Sequence, residues 1–422
     1  MRILILTEYF PNTFKPYFEA QFAQLVRDGH DIEIFAEGKW DHAVNAELAQ
    51  YRLVERTRYY PTTLGTLPRF AGALAGRVFG HPWAALRAAR RAWDGGKPVK
   101  LNVLNVARAL LLPRAAPDAV LMHDLATSRG FLFVARLYPG KPVALYFHGG
   151  EIPLGGAISD PGAREAFGMM TTVFTNTEYS KALAVKRGCD PAKVAIVPVG
   201  FRLGDYEPSP AKTYRDGGGL RLVTVGRLSA EKGIETTLDA LDLLRRRGVD
   251  NVRLRIIGDG PLRGALEARA AALALGPLVH FVGAVPKKDV VAELAAADAM
   301  VLASVPLPNV EENQACVLQE ALLMKLVLVT THVGGVQESV PPGMKRYALA
   351  PGDPAALADA LADLASCGAD ALARLGDEGR TFAVEKYEIA AVTKPILEVL
   401  RGTALRAKAE AKAEAQAEVG RG

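Results

Sequence analysis

The sequence predicts an α/β protein made of two blocks, each a parallel sheet wrapped in helices. Three observations predict it. Short apolar runs alternate with segments of helical period from the first residues to about 199. The same alternation restarts near Leu220. Between them lies "GFRLGDYEPSPAKTYRDGGG", residues 200–219, with the glycine, proline and charge of a linker.

The elements follow in order. "RILILT" is a first strand ending in a polar loop. In "FKPYFEAQFAQLVRDGH", Phe18, Phe22, Leu25 and Val26 share one helical face, and Gly29 is placed as a C-cap. "DIEIFA" completes a β-α-β unit, which starts a parallel sheet. "AVLMH", "VALYF", "TVFTN" and "VAIVPV" continue the strands to residue 199. In the second block "LRLVTVG" is a strand and "IETTLDALDLLRRRG" a helix; "VRLRIIG" and a helix from Pro261 repeat the unit. "VHFVGAV", "AMVLAS", "LVLVTT" and "RYALA" are further strands. The two blocks share no residue-level repeat. The tail "RAKAEAKAEAQAEVGRG" is low-complexity and receives no function.

Composition narrows the class. Of 422 residues, 50% are hydrophobic and 23% charged, which suits a soluble globular chain with enough core to need no disulfide. Cys189, Cys316 and Cys367 are odd in number, widely spaced and without metal-ligand spacing, as in a reduced cytosolic protein. No signal-peptide core opens the chain, and no run approaches the ~20 apolar residues of a membrane span. The expected location is the cytoplasm, free or attached to a surface. Residues 52–114 carry twelve Lys/Arg against Glu55 and Asp94, a net +10, interleaved with Phe70, Leu74, Phe79, Trp83 and Trp93. That mixture suits an anionic membrane surface or a phosphorylated ligand; a solvated helical face carries the same charge, and no nucleic-acid motif accompanies it.

In open α/β sheets ligands bind beyond the carboxyl ends of the strands, and three stretches of the second block lie there. "VGRLSAEKG" brings Arg227 and Lys232 to a helix start, where two cations and free N–H groups suit a diphosphate; ordinary surface charges are the alternative. "IIGDGPLRGALE" offers Gly258 and Gly260, a turn that lets a ligand approach the backbone. Its Gly264 comes one residue too late for the G-x-G-x-x-G dinucleotide fingerprint. In "SVPLPNVEENQACVLQEALLMK", Glu312 falls in a loop and Glu320 about two helical turns later, roughly 10–12 Å away. A buried Glu320 is a costly charge that needs a partner, either sugar hydroxyls or a structural cation.

Taken together, "VGRLSAEKGIETTLDAL", "IIGDGPLRGALE", "ADAMVLAS", Glu312-x7-Glu320 and "TTHVGGVQESV" resemble, in that order, the retaining GT-B-fold glycosyltransferases of family 4. "FEAQFAQLVRDGHDIEIFA", "YFHGGEIP" and "TNTEYSKALAVKRGCDPAKVAIVPVGF" extend the resemblance to residues 1 to about 400. It implies two Rossmann-like, doubly wound domains facing across a cleft: an acceptor-binding domain at 1–199, the linker 200–219 and a nucleotide-sugar domain at 220–384. Residues 385–402 become a helix crossing back to the first domain, and 403–422 a tail. The resemblance also implies residue roles. Arg227 and Lys232 hold the donor diphosphate, Glu320 the ribose, and Glu312 lies near the transferred sugar. His148 faces that sugar across the cleft, with Glu151 beside the acceptor, and Gly334 and Gly335 form a loop near the donor. No metal is needed, because the two cations replace it.

The chain departs from the family at Asn313, Gln314 and Ala315, where E-G-F-G is usual after the first glutamate. Side-chain amides at 313 and 314 then stand where glycine amides approach the donor. The implied activity is transfer of a hexose from a nucleoside-diphosphate sugar to a saccharide or lipid-linked acceptor, with retention, in cell-surface polysaccharide synthesis. The rival readings are a sugar-nucleotide-binding protein without turnover, a nicotinamide oxidoreductase, and a nucleic-acid binder.

Overall fold

The structure is a computed structural model and describes residues 1–12, 17–39, 46–149, 161–208, 212–214, 219–308 and 311–402. Two all-parallel sheets organise it. The first contains β1 (Arg2–Tyr9), β2 (Asp31–Gly38), β3 (Thr57–Tyr59), β4 (Ala119–His123), β5 (Val143–Phe147), β6 (Thr172–Thr175) and β7 (Val194–Ile196). Its order is β3-β2-β1-β4-β5-β6-β7. The second contains β8 (Leu220–Val225), β9 (Val252–Ile257), β10 (Val279–Gly283), β11 (Ala299–Leu302), β12 (Val327–Thr331) and β13 (Ala348–Leu349), in the order β10-β9-β8-β11-β12-β13.

Both sheets are covered on both faces, which is why their central strands are continuous apolar runs and not alternating ones. All five residues of β4, β5 and β12 are buried. Ile3 and Ile5 of β1 lie beside Ile32 and Ile34 of β2, and Ile5 also beside Leu121 of β4. On that face they pack with Phe18 and Phe22 of the helix Tyr17–Arg27. The opposite face packs Leu4, Leu6, Val120 and Met122 against Ala109, Leu111 and Phe131.

The chain crosses between domains twice, and the two crossings pair. Phe201 N–H donates to the Tyr387 carbonyl at 2.7 Å, and Ile389 N–H donates to the Phe201 carbonyl at 2.9 Å. Gly200 lies against them: a Cβ there would stand 2.6 Å from Ile389 Cδ1. The helix Ala369–Tyr387 belongs to the second domain, and the next helix, 389–402, lays Val392, Ile396, Leu397 and Leu400 into the apolar cluster of Ile3 and Phe22. The second crossing therefore falls at 387–389.

The stretch 200–219 differs from a free linker. Phe201, Tyr206 and Tyr214 are buried in the core of the second domain, and the Tyr214 hydroxyl donates to the Lys325 carbonyl at 2.6 Å. Aromatic area at these three positions outweighs the loop-forming glycines and prolines around them. The tail 403–422 lies outside the described residues. No helix among the described residues is long and apolar enough to cross a membrane.

Candidate active site between the two sheets

Each strand order reverses once, between β1 and β4 and between β8 and β11. The loops leaving the carboxyl ends of β8 and β11 therefore flank the switch point of the second sheet, where ligands gather in such folds. After β8 the chain makes a 3-10 turn, Ala230–Lys232, and then Gly233. Gly233 has φ +62°, and a Cβ there would sit 1.8 Å from the Ala303 carbonyl oxygen, so only glycine fits. Val305 N–H also donates to the Glu231 carbonyl at 2.9 Å, fastening the loop after β8 to the loop after β11.

Those contacts bring Lys232 Nζ onto Glu312 Oε1 as an ion pair, the side chains only 20% and 12% exposed. The Glu312 backbone is held by the loop after β12. Gly335 N–H donates to its carbonyl at 3.1 Å, and Gly334, at φ +51°, leaves no room for a Cβ beside that oxygen. Arg227 stands differently. It is exposed, and its guanidinium makes no hydrogen bond or ion pair among the described residues.

Glu320 sits in the helix Cys316–Leu323. The Tyr206 hydroxyl donates to its Oε1 at 2.6 Å, and Oε2 has no hydrogen-bond partner among the described residues. Burial raises the Glu320 pKa; the Tyr206 hydrogen bond and the Lys287 charge pull it back, and Asp205 adds to the rise. Lys287 bonds Asp205 at 3.0 Å and lies 5.2 Å from the Tyr206 ring centroid. Burial pushes the Cys316 thiol up to about 12, with Glu320 and Glu312 adding and Lys232 opposing. A thiol held protonated in this way is a weak nucleophile.

Two of the stretches expected beside the donor make close contacts with the protein itself. The turn at Gly258 and Gly260 packs its backbone against the loop at 226–228. A Cβ on Gly258 would lie 1.9 Å from Gly226 O, and one on Gly260 2.5 Å from Leu228 O. Leu228 N–H donates to Asp259 O at 3.0 Å, completing a backbone-to-backbone contact. Asn313 and Gln314 hydrogen-bond residues of the first domain. Asn313 Nδ2 donates to the His148 carbonyl at 2.5 Å, and its Oδ1 accepts from the Thr177 hydroxyl. Gln314 accepts from Val199 N–H at 2.8 Å and donates to the Val199 carbonyl at 3.2 Å.

The two domains are therefore in direct contact. The Tyr179 hydroxyl donates to Glu311. Glu338, from the second domain, accepts from the N–H groups of Glu178 at 2.9 Å and Tyr179 at 3.0 Å. These are free donors in the first turn of the helix Glu178–Lys186, whose N-cap Thr177 takes the Ser180 N–H. A carboxylate of one domain thus caps a helix of the other.

His148 follows β5 and is half-buried. Its ring stacks on Tyr146 with centroids 4.7 Å apart, and Asn176 Nδ2 lies 3.3 Å from its Nδ1. His123 Nδ1 stands 3.5 Å from its Nε2. Both ring nitrogens thus meet groups of the first domain. Glu151 lies outside the described residues. Sequence reasoning missed Tyr206, Glu338 and Thr177. Thr177 had a readable sign, a T-x-x-S start before the helix Glu178–Lys186, and Tyr206 an aromatic ring in a loop-forming stretch.

Comparison with known proteins adds an independent line. A family model described as glycosyl transferases group 1 matches residues 219–367, and one described as glycosyl transferase 4-like domain matches residues 14–200. The chain is 24% identical over 412 residues to WcaL of Salmonella typhimurium, a glycosyltransferase ascribed to colanic acid biosynthesis, covering 95% of this chain and 100% of the relative. It is 24% identical over 382 residues to the amylovoran biosynthesis glycosyltransferase AmsK of Erwinia amylovora, covering 88% and 92%. Anabaena HepE in complex with UDP superposes with a TM-score of 0.71 at 17% identity, covering 95% of this chain and 100% of that one. HepE in complex with UDP-glucose gives 0.68 at 18% identity, with 95% and 100% covered. The structural likeness establishes the two-domain fold.

Proposed function

Because the chain belongs to the group 1 glycosyltransferases and has their GT-B fold, we propose the following reaction for it. A hexose passes from a nucleoside-diphosphate sugar to a saccharide or lipid-linked saccharide, with retention, in the assembly of a cell-surface polysaccharide. Transfer takes place at the cytoplasmic face of the plasma membrane. Relatives named for colanic acid and amylovoran biosynthesis, and a fold relative solved with UDP and with UDP-glucose, support the substrate class.

The observation that carries the proposal is the Lys232–Glu312 pair at the second sheet's switch point, with the exposed Arg227, whose guanidinium has no partner among the described residues, five residues before Lys232. Breaking the anomeric C–O bond leaves negative charge on the diphosphate and positive charge on the sugar ring. Lys232 and Arg227 stabilise the first; cations in a closed, partly dry site act more strongly than in water. Glu312, fixed through its backbone by Gly334 and Gly335, orients the sugar. Glu320 keeps Oε1 on Tyr206 and offers Oε2 to a ribose hydroxyl. In this reading the two cations do the work a metal does elsewhere. His148 is not a base; retention requires none opposite the leaving group.

The test is a nucleotide-sugar panel read by thermal shift, followed by acceptor-dependent release of nucleoside diphosphate. A ligand at about 100 times its dissociation constant adds ~2.7 kcal/mol of stability. Stabilisation by one donor, lost in Arg227→Ala, supports the proposal. No stabilisation by any nucleotide sugar contradicts it, and binding without acceptor-dependent release points to a binding protein alone.

A further inference from the structure

The helical layer between β3 and β4 presents a surface that the reaction does not use. It consists of the helices Ala71–Gly80, Pro82–Ala92 and Val99–Leu111. In Pro82–Ala92, Ala85, Ala88 and Ala92 face inward, while Trp83, Leu86, Arg87 and Arg90 form one outward face at helical spacing. Trp83 is 77% exposed, Leu86 59%, and Phe79, just before the turn into this helix, 84%. Large apolar side chains this open, grouped within eight residues, mark a contact surface.

The charge on the same layer selects the partner. Arg69, Arg87, Arg90, Lys100 and Arg114 have no hydrogen-bond or ion-pair partner among the described residues. The two acids of the segment are already engaged, Glu55 by Arg52 and Asp94 by Arg136. Beside the stripe lies a groove of about 450 Å³ whose lining includes Arg77, Arg87, Arg91 and Arg114 and no acid. A second copy of this chain is a poor occupant, since a two-fold contact sets these arginines against each other. A nucleic acid satisfies the cations but leaves Leu86 without a partner. An anionic bilayer satisfies both: phosphate headgroups for the cations and the acyl boundary for Phe79, Trp83 and Leu86.

We propose that Phe79, Trp83 and Leu86, with Arg87 and Arg90, form the surface by which this protein docks on an anionic lipid bilayer. The proposal deepens the reading that transfer takes place at a membrane and rests on it only for its purpose. Binding itself needs no donor.

The experiment is co-sedimentation of the full chain with phosphatidylcholine vesicles, with and without phosphatidylglycerol, and no nucleotide sugar. The protein sediments with the mixed vesicles and not with the neutral ones. Arg87→Gln/Arg90→Gln lowers the partition coefficient about 30-fold, as expected for two cations at an anionic surface. Phe79→Ser/Trp83→Ser abolishes sedimentation, with unchanged melting temperature and unchanged turnover of a soluble acceptor. Equal binding to neutral vesicles, no binding to either, or full binding by both variants overturns the proposal. So does a preference for competing DNA over the mixed vesicles. Vesicle binding without any transferase activity leaves this surface standing and removes the catalytic reading.

Discussion

Replacing Lys232 with methionine separates a catalytic cation from a structural one. In the structure Lys232 Nζ rests on Glu312 Oε1, with the two side chains 20% and 12% exposed. Removing one partner of a fully buried pair costs about 3–5 kcal/mol, and exposed pairs are worth about 0–1 kcal/mol. At this exposure the stability loss falls between, about 1–3 kcal/mol, because Glu312 is left without its cation. The loss in turnover has a different origin. Withdrawing one positive group from the leaving diphosphate costs about 2.7–4 kcal/mol, or 10²–10³-fold. The double variant Lys232→Met/Glu312→Gln removes the unpaired carboxylate as well. It recovers about 1 kcal/mol of stability relative to Lys232→Met, while turnover stays lost. Urea denaturation gives the first quantity and release of nucleoside diphosphate at saturating donor the second. If turnover recovers along with stability, or if Lys232→Met keeps activity within tenfold of the parent, Lys232 is only a structural partner of Glu312 and the electrostatic account is wrong.

Three further outcomes follow from other contacts. Glu338→Ala removes the carboxylate that caps the helix Glu178–Lys186 from the other domain. Domain closure weakens by about 1–3 kcal/mol, and the radius of gyration in solution scattering increases; an unchanged curve contradicts the capping role. Glu320→Gln keeps the acceptor for Tyr206 and removes a carboxylate whose pKa is raised above its ordinary 4.5 by burial. A raised folded-state pKa favours folding in acid, and that benefit is lost as pH rises through it. The variant therefore melts higher than the parent at neutral pH, the gap closes in acid below about 4.5, and its donor affinity falls; a gap independent of pH refutes the assignment. Gly233→Ala places a methyl 1.8 Å from the Ala303 carbonyl at φ +62°. It lowers stability by at least ~2 kcal/mol, and a urea midpoint equal to the parent's shows that the loop adjusts freely.

Much of the fold was present in local sequence, because parallel strands buried on both faces are long apolar runs that need no partner to be recognised. Twelve strands were expected where strands occur; the thirteenth, Thr57–Tyr59, is a three-residue edge strand flanked by charge, with no apolar run to mark it. The site divides in the same way. Lys232 and Glu312 meet because the loops after β8 and β11 leave a switch point, and strand order alone implies that. Asn313 and Gln314 could not be placed so, since their partners lie 165 and 115 residues away in the other domain. Glycines at 258 and 260 do mark a close approach to backbone, but spacing cannot tell an approaching ligand from an approaching loop. Tyr206 was hidden by composition: one ring in a glycine- and proline-rich stretch anchors that stretch to the second domain and to Glu320.

The most direct measurement is a crystal structure of the full chain with a nucleoside diphosphate bound. The account predicts phosphate oxygens within hydrogen-bond distance of both Lys232 and Arg227, and a ribose hydroxyl on Glu320 Oε2 with Tyr206 still on Oε1. A nucleotide seated elsewhere, or Arg227 still pointing into solvent while Lys232 remains on Glu312, contradicts it.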